Sequence, residues 1–87
     1  MFSLTASAGG NGSTIVSLAG NVSEDVLPEI NRIIDRDRRV ALDLSEVTLI
    51  DRMSARFFAE QLQRGIELLD CPMYIKHWIL REVTNGK

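Results

Sequence analysis

Apolar and polar residues alternate at the start of the chain, with Phe2, Leu4 and Ala6 set between Ser3, Thr5 and Ser7. A period of two predicts a strand with one buried face. Ala8-Gly9-Gly10-Asn11-Gly12 follows, and its glycines and asparagine tolerate positive φ, so it reads as a hairpin loop before a returning strand over Thr14 to Ala19. Gly20 and Asn21 are expected to break that strand. Ser23 to Asp25 offer caps for a first helix, and Pro28 suits an opening turn, which puts the start nearer Asp25. Leu27, Ile30 and Ile34 share one face of this helix, flanked by Val26 and Ile33. The mixed-sign run Asp35-Arg36-Asp37-Arg38-Arg39 reads as a solvated helix end and loop.

Arg39 to Leu44 is expected to form a central strand, with Val40, Leu42 and Leu44 on one face and Ala41 and Asp43 on the other. Ser45 to Ile50 reads as a loop into a helix that opens at Asp51, a carboxylate suited to capping backbone N–H groups. On that helix Ala55, Phe58, Ala59 and Leu62 recur at i, i+3, i+4 and i+7, the spacing of a buried stripe. Gly65 is the expected C-terminal cap, Ile66 to Leu69 a short strand, and Asp70-Cys71-Pro72 a turn. Met73 to Val83 forms the last helix, with Ile75, Trp78, Ile79 and Val83 inward. Strands separated by helices pair in parallel through crossovers, whereas the Gly-rich hairpin adds an antiparallel edge. The expected fold is α/β: one domain over residues 1–87, a mixed, mostly parallel four-stranded sheet with about three helices packed on it.

Composition narrows the function classes. Ten basic and twelve acidic residues leave a net charge of −2, so there is no basic footprint for nucleic acid. No apolar run approaches the ~20 residues of a membrane span, and the N-terminus lacks a secretory pattern, so a cytoplasmic protein without a membrane partner is expected. Cys71 is the single cysteine, consistent with a reducing compartment. The glycosylation patterns at Asn11 and Asn21 are then turn residues rather than acceptors.

Candidate chemistry is sparse. Asp43, Glu46 and Asp51 could pair carboxylates, but acid–base work needs a substrate pocket that their spacing does not require. Cys71 and His77 do not make a metal site, and neither a cofactor nor a catalytic residue is expected. The Gly9 to Gly12 loop lacks the Gly-Lys-Ser/Thr of a phosphate cradle. Met53 and Phe57 stand four apart beside the buried stripe and read as core or groove-lining residues; the alternative is an exposed apolar pair that, with Arg52 and Arg56 as a charged rim, fits a docking surface. Tyr74 and Trp78, also four apart, read as a pair anchoring the last helix, with an exposed homodimer or ligand contact as the alternative.

From Val40 to Leu62 the chain reads Val-Ala-Leu-Asp-Leu-Ser-Glu-Val-Thr-Leu-Ile-Asp-Arg-Met-Ser-Ala-Arg-Phe-Phe-Ala-Glu-Gln-Leu. This segment resembles the STAS family, the small domains of anti-sigma factor antagonists and of sulfate-transporter tails. Family members carry a strand ending in Asp-Leu-Ser and then Asp-Ser-Ser-Gly or Asp-Ser-Thr-Gly at a helix start. Here Asp51 matches the second Asp, Arg52 and Met53 occupy the hydroxyl positions, and Ser54 falls where the Gly usually stands. The resemblance extends in element order over roughly residues 13 to 83, a compact STAS-like domain.

It implies a non-enzymatic protein-interaction module of bacterial transcription or signalling regulation, with an anti-sigma factor or kinase-like regulator as partner. The expected partner-binding residues are Asp51, Arg52, Met53, Ser54, Arg56 and Phe57. Phosphorylation of the motif serine releases the partner in that family. With Met53 in the serine's place that switch is expected to be lost; Ser54 reads as a capping or packing residue and, failing that, is the one candidate phosphosite. The competing expectation is a small-ligand sensor with a pocket between the Asp51 helix and the last helix.

Overall fold

A computed structural model of the protein describes residues 2–37 and 39–85, so Arg38 of the charged run lies outside the described residues. Strand β1 (Phe2–Ala8) turns through a short 3-10 segment into β2 (Thr14–Val22). A second 3-10 turn, Glu24–Val26, runs into α1 (Leu27–Arg36), with Pro28 in its first turn where no N–H is needed. Then come β3 (Val40–Ile50), α2 (Arg52–Gln63), β4 (Glu67–Leu69) and α3 (Met73–Asn85).

The sheet order is β1-β2-β3-β4, with β1 antiparallel to β2 and the other neighbours parallel. This is the mixed, mostly parallel sheet expected, and β3 lies in its interior. Two right-handed crossovers stepping the same way across a sheet lay their helices on one face. Ile30 and Ile34 of α1, Ala55 and Phe58 of α2, and Ile75 and Ile79 of α3 accordingly join Val16, Leu18, Leu42 and Leu44 in one core. The opposite face, with Ser3, Thr5, Ser17, Ala19, Ala41 and Asp43, has no fully buried residue among the described ones. Among the described residues no helix is long and apolar enough to cross a membrane.

Two sequence expectations need correction. The loop expected over Ser45 to Ile50 is strand, and β2 runs on through Gly20 and Asn21 to pair with it. The inward residues of β3 are Leu42, Leu44, Val47 and Ile50, a spacing that breaks the period of two. Register shifts between Ser17 and Ala19 and between Gly20 and Asn21 each give β3 one residue more than β2, which returns Val47 and Ile50 to the core. Gly20 sits at the second shift with φ of 87°, a conformation that glycine supplies at little cost.

Gly65 closes α2 as expected. At φ of 94° it donates to the Leu62 carbonyl (3.1 Å), and Ile66 donates to Gln61 (3.0 Å), the paired bonds of a Schellman ending. This stop returns the chain to the sheet as β4.

Candidate docking surface at the start of α2

The upper end of the sheet is held together by the first turn of α2. Asp51 has extended backbone and caps the helix: its Oδ1 accepts from the Ser54 amide at 2.8 Å. Its other oxygen accepts from the Glu24 amide at 3.0 Å, which ties the β2–α1 connection to α2. The Ser54 hydroxyl donates to the Val22 carbonyl at 3.1 Å, and the Asp51 amide reaches the same carbonyl at 3.3 Å. Ser54 is fully buried. Asp51 and Ser54 thus fasten three elements, Ser54 from a buried position and Asp51 from a half-buried one.

The remaining expected contact residues point the other way. Arg52 and Arg56 are exposed, Met53 is 47% exposed, and Phe57 is half-buried with its ring edge-on to Phe58 at 5.6 Å. Met53, Arg56 and Phe57 line an open cleft of about 390 Å³ together with Leu27, Glu60 and Glu82. Sequence reasoning missed the last three. Leu27 was assigned to the core face of α1, and Glu82, on α3, lies 19 or more positions from the α2 residues of the cleft, with no sequence pattern to join it to them. Leu49, expected in a loop, is an exposed apolar residue of β3.

Tyr74 and Trp78 part company. Trp78 packs half-buried against the core, whereas Tyr74 is 60% exposed and its hydroxyl donates to the Thr48 carbonyl of β3 at 2.7 Å. A second cleft of about 350 Å³ lies beside α3, lined by Leu62, Leu68, Cys71, Lys76, Ile79 and Leu80. Burial pushes the Cys71 thiol above its ordinary value, more than the nearby Lys76 ammonium lowers it, so Cys71 is held as a thiol. Among the described residues no group of three or more His, Cys, Asp or Glu side chains is placed to hold a metal ion.

Burial pushes the Asp51 carboxyl up, but hydrogen bonds from Ser54 and from the Glu24 amide outweigh it and hold the pKa below the ordinary 3.8. The unfolded chain binds that proton more readily than the folded one. Stability from ionised Asp51 is therefore whole above 3.8 and is lost as pH falls through the lower folded value. Asp51→Ala is expected to cost about 1 to 2 kcal/mol at neutral pH. Urea unfolding of both proteins in neutral and in strongly acidic buffer checks this. The gap should narrow in acid, and an equal gap at both would remove the charge from the cap's contribution.

Compared with models of known protein families and with curated proteins, the chain has no match.

Proposed function

We propose that this domain is a non-enzymatic protein-docking module of the STAS type. In this reading it serves bacterial transcription or signalling regulation in the cytoplasm, and it engages an anti-sigma factor or kinase-like regulator through the outer side of the α2 start. The observation that carries the reading is the division of labour within one helical turn. Asp51 and Ser54 are spent on internal bonds, while Arg52, Met53 and Arg56 face solvent beside a cleft that Phe57 and Leu27 floor. Adaptable Met, flanking Arg and a half-buried aromatic are what protein interfaces favour at their centres.

The switch of such domains is a phosphate at this turn, and here it has no ready acceptor. Met53 has no hydroxyl. A phosphate on Ser54 would have to break the bond to Val22 and place two negative charges in a fully buried position, a cost of several kcal/mol on general grounds. Docking in this chain is therefore constitutive or controlled through the partner.

The second reading, a small-ligand sensor, draws on the cleft beside α3, whose lining is mainly apolar. Against it, fully buried Phe58, Ile75 and Ile79 pack the layer between α2 and α3, and the clefts to which both helices contribute are open ones at its margin.

A photo-reactive amino acid placed at Met53 in cells tests the proposal, with Leu80 as a matched control because the two are 47% and 44% exposed. A discrete adduct at Met53 with a kinase-fold protein, absent at Leu80, is the expected result. Adducts formed from Leu80 and not from Met53 would move the docking surface to α3.

A further inference from the structure

We propose that the free edge of β1 pairs with β1 of a second copy, in antiparallel register about a two-fold axis at Thr5, to join two sheets into one of eight strands. This is independent of the docking surface on α2.

The two edges of the sheet differ. β4 is three residues long, carries Glu67 and is followed by Asp70, so it is short and charged in the way that protects natural edges from pairing. β1 is seven residues long, Phe-Ser-Leu-Thr-Ala-Ser-Ala, with no charge, no proline and no register shift against β2. Among the described residues its outer backbone edge has no neighbour in the sheet order. A row of unpaired N–H and C=O groups on an uncharged, regular strand is a template for another strand.

The side chains choose the occupant. In a two-fold antiparallel pair centred on Thr5, Thr5 meets Thr5 of the second copy, Ser3 meets Ser7, Leu4 meets Ala6 and Phe2 meets Ala8. On the open face this makes an unbroken row of hydroxyls, a favourable cross-strand set. On the helix face each large side chain meets a small one. Phe2 and Leu4 are half-buried while Ala6 and Ala8 are exposed, so the large residues of one copy extend over surface that the alanines of the other leave open. No like charges meet across the axis, because the strand has none. The strand is thus complementary to itself, the condition for an isologous contact. Seven-residue strands bury less than the roughly 1,000 Å² of a stable interface, which makes the dimer weak and concentration-dependent.

Sedimentation of the full chain over a range of concentrations, with Thr5→Lys alongside, tests the pairing. The wild type should shift toward dimer as concentration rises. Thr5→Lys sets two ammonium groups against each other at the axis and should stay monomeric, with an unchanged melting curve because Thr5 is exposed. The register is read in a Cys71→Ser background with a short bismaleimide crosslinker. Thr5→Cys should give covalent dimer, whereas Ser3→Cys should not, its partner copy lying four residues or roughly 14 Å away along the strand. A wild type that remains monomeric at every concentration overturns the proposal. So does a dimer that survives Thr5→Lys, or equal crosslinking at positions 3 and 5.

Discussion

Phe58→Ala is expected to destabilise the domain by about 3 to 5 kcal/mol, the cost of removing a buried aromatic ring and leaving the space partly unfilled. Phe58 is fully buried in the cluster that joins α2 to the strands and to α3. A small domain has only about 5 to 15 kcal/mol in total, so the loss consumes much of the margin. Urea unfolding should show a sharply lower midpoint with a similar slope. Phe57→Ala, one position along and only half-buried, should cost clearly less. Similar losses at the two positions would mean that α2 is rotated from the register described. Should Phe58→Ala prove too unstable to purify, Phe58→Leu retains most of the volume and preserves the comparison.

Legibility in the sequence followed local physics. Three residues of the expected α2 stripe, Ala55, Phe58 and Ala59, are buried as helical spacing predicts, whereas Leu62 is only half-buried and outside the core and Gln61 is buried instead. Asp51 and Gly65 were readable as caps because their roles are set within a few residues. The second half of β3 was not. Its inward residues skip by three twice, and only pairing with β2 shows that bulges absorb the extra positions. Gly20 misled for the same reason, since the residue that ends most strands here permits a register shift inside one.

At the candidate site the sequence left Met53 open between the core and an exposed patch and read Ser54 as a capping or packing residue, which its burial bears out, but it could not name the partner of Ser54. Its hydroxyl is committed to Val22, a residue 32 positions away on another strand. Likewise the bond from Glu24 to Asp51 spans 27 positions and is set by the sheet order alone. The cleft needed the fold as well, because α1, α2 and α3 each contribute a wall.

The central claim is that the α2 start is a docking face, and a double change there tests it most directly. Arg52→Glu with Met53→Asp replaces an exposed cation and an exposed thioether by two carboxylates at the first turn of a helix. Neither side chain is in the core or among the internal bonds of the turn, and acidic groups suit a helix N-terminus, so the fold should stand. An interface centred on these residues loses an apolar contact and gains charge of the opposite sign. The affinity should fall by far more than tenfold, or roughly 1.4 kcal/mol. The measurement is a calorimetric titration of wild type and double variant with the protein captured at Met53, beside their melting curves. The account predicts an unchanged melting curve and binding weakened well beyond tenfold; full affinity in a well-folded variant would contradict it.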